Sequence, residues 1–334
     1  MPPEKAGRKW RFMVRDATGR HWKSFSDYDE CLRAWNDYIG QSKTKPVIAV
    51  EVQAIEQYND IDSLWEFVEA NQVNRRTDIP RILMPNEPFA IAFISDLHIG
   101  SAGCDYKKAR TDAEIVRDTP GMYAVFHGDG IDNWILPKMA GLQRNQMVPF
   151  DQEVALFGAW MRTIGEKLIC VVAGNHDNWT SRMSGLDIVA NVTPPTTLYD
   201  QNQILFDLKW GVNSLRICVR HKWRGSSQAN PTGGMEKSAR DLDADVYVGG
   251  HTHIGTLFRS FVVRGKDRLA VLTGTYKTHD EYAAELGFPE SSHSGCGAMV
   301  VDPDGSITWI RDLKEAARYL AFKRSEVMAN AKNK

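Results

Sequence analysis

The sequence predicts an α/β main domain preceded by a small α+β module, and three observations predict it. From residue 89 onward, short apolar runs alternate with segments of helical periodicity, the order of a chain that lays down strands and returns over helices. Five of those runs end in polar clusters, most of them bordered by glycine. Strand–turn–strand patterns stand near both ends, at Trp10 to Phe25 and Ala298 to Ile310.

In chain order, Trp10 to Val14, the turn Asp16 to Gly19, and His21 to Phe25 read as a hairpin. Ser26-Asp27 opens a helix carrying Tyr28, Leu32, Trp35 and Ile39 until Gly40 stops it. Val47 to Val52 reads as a strand, Ile61 to Val73 as a helix, and Arg75 to Pro80 as a linker. The expected domains are therefore an accessory module at 1–80 and a main domain at 81–334. Residues 1–50 hold ten basic against six acidic side chains and 51–88 three against eight, so positive charge gathers on the hairpin. Trp10, Arg11, Arg15, Arg20, Trp22 and Lys23 would suit a nucleic-acid backbone with stacked bases. The commoner use of such a face is solvated charge over a small aromatic core.

In the main domain, Ala90 to Ser95 is a strand running into Asp96-Leu-His98, and Tyr106 to Arg117 a returning helix. Tyr123 to Phe126 runs into His127-Gly-Asp129-Gly-Ile-Asp132. Trp134 to Met147, with Pro137 and Gly141, reads as an irregular loop. Asp151 to Lys167 is a helix with Val154, Phe157, Met161 and Ile164 on one face. Leu168 to Val172 runs into Gly174-Asn-His-Asp177, Leu215 to Val219 reaches His221, a helix covers about 234–241, and Asp245 to Val248 runs into Gly249-Gly-His-Thr-His253. Leu269 to Leu272 leads to Thr273 through His279, whose Tyr276, Lys277 and His279 border the same rim and read as structure more readily than chemistry. The hairpin around Asp302-Pro-Asp-Gly305 and a charged helix from Leu313 to Lys334 complete the chain.

Five strand ends thus bring carboxylate, imidazole and amide to one sheet edge. One Asp or His at such a place is ordinarily a turn former, but the ordered set is not ordinary. Carboxylate and imidazole donors together suit Mn²⁺, Fe or Zn²⁺, and one carboxylate, here Asp129, can bridge two such ions about 3.5–4 Å apart.

Asp-x-His, Gly-Asp-x-x-Asp, Gly-Asn-His-Asp, a later His and Gly-His-x-His, in that order, resemble the calcineurin-like metallophosphoesterases from about Phe89 to Asp302. The resemblance implies two packed mixed β-sheets flanked by helices. It implies two divalent ions, Mn²⁺ with Fe or Zn²⁺ as alternatives, one held by Asp96, His98, Asp129 and His253, the other by Asp129, Asn175, His221 and His251. It makes His176 the residue that stabilises the transition state or protonates the leaving oxygen, with Asp177 orienting its ring. Arg182, Lys222, Arg224 and Tyr276 are candidate substrate contacts.

Composition sets outer limits. At 334 residues, 43% hydrophobic and 25% charged with net charge −1, the chain reads as globular with no overall bias toward polyanions. No apolar run approaches the ~20 residues of a membrane span and the N-terminus begins no secretory signal, so the expected setting is cytoplasmic. Five cysteines without a Cys-x-x-Cys pair predict reduced thiols and no zinc–cysteine site. Asn133 follows Asp132 where protein phosphatases of this family carry Arg-Gly, which disfavours a phosphoprotein. The expected reaction is hydrolysis of a nucleic-acid or nucleotide phosphodiester by metal-bound hydroxide. The alternatives are a phosphomonoesterase or nucleotide pyrophosphatase, and a non-catalytic scaffold.

Overall fold

The computed structural model describes residues 4–6, 9–16, 19–27, 29–31, 33–34, 61–70, 79–135, 137–227, 229–279, 284–285, 287 and 295–332. By its internal contacts the chain divides into two units, Met1–Arg75 and Arg76–Lys334. The first contains β1 (Glu4–Ala6), β2 (Lys9–Asp16) and β3 (Gly19–Phe25), an antiparallel sheet in that order, then α1 (Ile61–Ala70). Trp10 stands opposite Phe25 and Asp16 opposite Gly19, the register of the expected hairpin; β1 is an addition to it. The strand expected at Val47 to Val52 and most of the helix expected to run to Gly40 lie outside the described residues, as does the linker up to Asp78.

The second unit runs β4 (Arg81–Leu83), β5 (Phe89–Ile94), α2 (Tyr106–Asp118), β6 (Met122–His127), α3 (Phe150–Ile164), β7 (Leu168–Val172), α4 (Asn175–Ser184), α5 (Ile188–Val192), β8 (Leu198–Asp200), β9 (Ile204–Trp210), β10 (Asn213–Val219), α6 (Gly233–Ser238), β11 (Val246–Gly249), β12 (Leu257–Val263), β13 (Lys266–Leu272), β14 (Gly297–Val301), β15 (Ile307–Ile310) and α7 (Leu313–Lys332). Two six-stranded mixed sheets result, ordered β15-β14-β5-β6-β7-β8 and β12-β13-β11-β10-β9-β4. Strands β5 to β8 are parallel, as are β10, β11 and β13.

Side-chain size along β5 shows why the layers pack as they do. Phe89, Ile91 and Phe93 enter the core between the sheets, with Phe206, Leu208, Ile217, Val246 and Val271 from the second sheet. Ala90, Ala92 and Ile94 alternate to the other face, where small residues let α2, α3 and α7 approach. Each fully buried Phe or Ile on the inner face contributes about 1.5–3 kcal/mol. Trp223, Met235 and Ala239 cover the outer face of the second sheet around Tyr247. The architecture is two packed mixed sheets flanked by helices.

Several boundaries differ from expectation for local reasons. The stretch read as an irregular loop contains a 3₁₀ segment, Pro137–Asn145. Helix α3 ends at Ile164 because Gly165, at φ 65°, takes the left-handed turn, leaving Gly165–Lys167 as a 3₁₀ turn. Helix α4 has no apolar period to announce it; it starts because the Asp177 carboxylate reaches back to the Gly174 N–H at 2.8 Å. Among the described residues, no helix is long and apolar enough to cross a membrane.

Candidate metal centre

The strand ends converge on one rim, but not of one sheet. Asp96 and His98 follow β5, Asp129 follows β6, and Asn175 and His176 follow β7, all in the first sheet. His221 follows β10, and His251 and His253 follow β11, in the second. The expectation of a single sheet edge is corrected: a hydrophobic period reveals a strand, not the sheet it joins.

Backbone conformation marks the same residues. Of the seven described non-glycine residues at positive φ, five are Asp96 (53°), His98 (49°), Asp129 (54°), His251 (71°) and His253 (55°). Such conformations are costly for residues with a Cβ and persist where the surroundings enforce them, typically at functional sites. Close approach enforces them here: a Cβ on Gly174 would overlap the Asp129 carboxylate, and one on Gly250 would overlap Asp96 and Ser95.

Among the described residues three groups of potential metal donors form, His98, Asp132 and His176 being one, and the other two carry the expected ligands. In the first of these two, His253 Nε2 lies 2.9 Å from Asp96 Oδ1 and 3.2 Å from His98 Nε2, which is 3.9 Å from Asp96 Oδ1. These separations bracket the roughly 3.3 Å between donors that share an ion at about 2.0–2.1 Å. The second cluster comprises Asp129, His221 and His251. Asp129 Oδ2 faces both, 3.1 Å from His221 Nε2 and 3.9 Å from His98 Nε2, while its Oδ1 accepts the His176 N–H at 2.9 Å. His221 Nε2, though close to Asp129, is out of hydrogen-bond alignment, and it and Asn175 Oδ1 are buried polar atoms without a hydrogen-bond partner. Leaving the Asn175 oxygen unpaired costs about 1–3 kcal/mol, while His221 Nε2 is held by the charge of Asp129. A shared cation would satisfy both, so the donor set fits a metal pair.

The electrostatics agree. Burial alone would raise the carboxyls of Asp96 and Asp129, but the imidazoles, His221 foremost, hold both below the ordinary carboxylate range. Burial would likewise lower His221, yet Asp129 and Asp96 outweigh it and push the ring up to about 10. Two buried carboxylates thus draw positive charge to this point. Burial lowers His176 to about 4, and burial with the neighbouring His221 lowers His251 to about 4.

The sequence model described as calcineurin-like phosphoesterase matches residues 89–255, half of the chain, and spans all five strand ends. The chain belongs to the calcineurin-like phosphoesterase family. Two solved structures are similar to it: Vps29 of Chaetomium thermophilum, at 16% identity, covering 67% of this chain and 92% of that one with TM-score 0.36, and the nuclease MPE of Pseudomonas putida, at 12% identity, covering 66% and 87% with TM-score 0.29. No curated protein matches the chain.

Around this calcineurin-like centre some expected residues take other places. Asp177 does not orient His176. Its carboxylate accepts the N–H groups of Gly130 (2.9 Å), Ile131 (3.3 Å) and Gly174 (2.8 Å), pinning the Asp129 loop to the start of α4, and burial with the nearby Asp129 charge raises it to about 7. The Asp132 carbonyl takes its place, accepting from His176 Nδ1. Tyr276 is not at the rim: it is fully buried, its hydroxyl donating to Asp112 at 2.7 Å and lying 3.1 Å from Cys296 Sγ. Arg182 is exposed on α4, about two turns past Asn175. Lys222 and Arg224 are exposed on the loop after His221, and Lys222 lines a small cavity of about 40 Å³ with Ser226, His251 and Thr252.

Sequence reasoning assigned nothing to Asp132, Trp134 or Glu153 and set Lys277 aside as rim structure. Asp132 Oδ1 contacts His98 Nδ1 at 3.0 Å and Lys277 Nζ at 2.9 Å, and its Oδ2 accepts from Trp134 Nε1 at 2.6 Å. Buried Glu153 accepts the Asn133 N–H at 3.1 Å. The available signal was the second aspartate of Gly-Asp-x-x-Asp; nothing local marks Lys277 or Glu153.

Proposed function

We propose that this protein is a dimetal-dependent phosphoesterase that hydrolyses phosphodiester bonds of a nucleic acid or nucleotide. The observation that carries the reading is Asp129 Oδ2, which faces a histidine of each donor cluster. One ion would be held by Asp96, His98, Asp129 and His253, the other by Asp129, Asn175, His221 and His251, and the mixed N/O donors suit Mn²⁺, with Fe or Zn²⁺ as alternatives. Bound there, the ions would polarise the phosphoryl oxygens and make water a nucleophile at neutral pH. The chain's own residues then position and move protons. His176, its Nδ1 occupied by the Asp132 carbonyl, has Nε2 left to exchange a proton with a reacting oxygen.

The exposed cations support a diester. Lys222, which lines a cavity with His251, would take a phosphate flanking the scissile one, with Arg224 on the same loop and Arg182 as further contacts. Asn133 cannot serve as a phosphate clamp, because its side chain is buried and donates to Thr180 Oγ1 (3.1 Å) and the His176 carbonyl. The test is purified protein with added Mn²⁺ on bis(p-nitrophenyl) phosphate and p-nitrophenyl phosphate, alongside Asp129→Asn. Hydrolysis of the diester is expected, with the variant losing both bound metal and at least about 10²-fold in rate. A fully active, metal-replete Asp129→Asn would sink the dimetal reading, and cleavage of the monoester alone would move it to a phosphomonoesterase.

A further inference from the structure

We propose that Lys277 is a positioning residue of the metal centre, an ammonium from the segment after β13 that fixes the Asp132 carboxylate and through it the ring of His98. The assignment rests on the dimetal reading above and extends it to a residue outside the five strand-end clusters.

Lys277 follows β13 by five residues and is 5% exposed. Its backbone is fixed on both sides: its N–H donates to Thr275 Oγ1 at 2.9 Å, and it forms an antiparallel bridge with Cys104. The side chain passes over the Trp134 ring, 5.3 Å from its centre, to place Nζ 2.9 Å from Asp132 Oδ1. Trp134 in turn donates to Asp132 Oδ2 at 2.6 Å. The two carboxylate oxygens therefore have separate donors, and the plane of the group is set.

That plane decides the state of His98. A carboxylate engaged by an ammonium and an indole N–H can only accept from a third partner, so His98 Nδ1, 3.0 Å away, donates to it and Nε2 is the atom left for a metal. Nε2 is the atom turned toward Asp96 and His253. Asp132 also governs the second ring, because its carbonyl accepts from His176 Nδ1. Its own N–H donates to Ile99 O at 2.9 Å, which holds the backbone in place and leaves side-chain orientation to Lys277 and Trp134.

Stability is a poor reason for such a lysine. Replacing a buried ion pair with apolar residues is often neutral or stabilising, whereas a pair with one shared, directional acceptor enforces a single geometry. Lys277 enforces the one in which the candidate ligand His98 hangs from the Asp132 carboxylate.

The test is a double-mutant cycle with a spectroscopic readout. Lys277→Met is expected to lower kcat on bis(p-nitrophenyl) phosphate about 10- to 100-fold at saturating Mn²⁺, with KM changed less than about threefold. Lys277→Arg should fall between it and wild type. If Lys277 acts through Asp132, Lys277→Met added to Asp132→Asn lowers kcat no further; losses that multiply overturn the proposal. In metal-free ¹⁵N-labelled protein, the His98 ring, assigned by its loss in His98→Gln, should be the Nδ1–H tautomer in wild type and a mixture in Lys277→Met. An unchanged His98 tautomer or wild-type kcat in Lys277→Met also overturns it. Should Lys277→Met not fold, Lys277→Arg decides: a guanidinium must displace the His98 ring signal, and an undisplaced signal refutes the role. Wild-type protein that cleaves no phosphate ester would defeat the functional reading, while the metal-free ring signals would still decide Lys277.

Discussion

Asp129 and His176 divide the labour of the site at the scale of single residues. The His176 N–H holds one Asp129 oxygen while the other faces both donor clusters, so ring and backbone of His176 act on different groups. Replacing the ring should separate rate from metal: His176→Asn is expected to keep both ions and lose about 10²–10⁴-fold in kcat. Metal content and kcat measured on one preparation check this; stoichiometric metal loss would make His176 a ligand. Glu153 offers a prediction about stability. Burial, only partly offset by the Asn133 N–H and the Gln146 amide, raises its carboxyl from the ordinary 4.5 to about 7. A raised carboxyl favours the folded state when protonated, so its contribution is complete below about pH 4.5 and is lost as pH rises through about 7. Glu153→Gln should therefore leave stability near pH 4.5 little changed and raise it at pH 8, by up to about 3 kcal/mol. Gln146 can turn its amide to accept from the new one. Denaturation across pH 4.5–8.5 tests it, and a variant no more stable than wild type at pH 8 would refute it.

At the scale of elements, the site depends on how strands stop. Each of β5, β6 and β11 is followed by one or two non-glycine residues in left-handed conformation, and the neighbouring backbone comes so close that only glycine fits at Gly174. Gly174→Ala should lower stability by about 1–3 kcal/mol through overpacking and weaken metal binding, because the added methyl would displace the Asp129 carboxylate. Gly141→Ala, where an added Cβ meets nothing within 4 Å, is the control. Equal melting temperatures and metal content for the two variants would argue against the cradle. The same scale explains the hidden start of α4: Asn175 to Ser181 carry a single apolar side chain, Trp179, and the helix is set by Asp177 at its third position.

For the whole molecule, the proposal is an accessory module separable from the catalytic domain. The best place to divide them is before Arg76 and not at Arg81, since β4 joins the second sheet and the Pro80 carbonyl accepts the Asp207 N–H at 2.9 Å. Removing residues 1–75 should leave metal content and cleavage of a small synthetic diester unchanged. If the basic hairpin contacts nucleic acid, the truncated protein should bind long strands more weakly at low salt, with the gap closing as salt rises. Equal binding by both forms at every salt concentration would remove that role.

Much of this was legible in the sequence because it is written in local pattern. The largely apolar run from Ala90 to Ser95 predicts a strand, and the spacing of Val154, Phe157, Met161 and Ile164 predicts a helix, since backbone periodicity and burial act over a few residues. The polar clusters after such strands are local in the same way, and the family resemblance they carry is what singled out Asp96, His98, Asp129, Asn175, His221, His251 and His253 as a group. What pattern does not carry is partnership between distant segments. That the clusters come from two sheets, that Tyr276 turns inward to Asp112, that Asp177 clamps backbone while the Asp132 carbonyl holds His176, and that Lys277 reaches Asp132 across 145 positions were decided only by packing. Burial removes water as a partner, so each of these groups must take whichever donor or acceptor the fold brings beside it, and that choice depends on three-dimensional proximity that no local run of residues records.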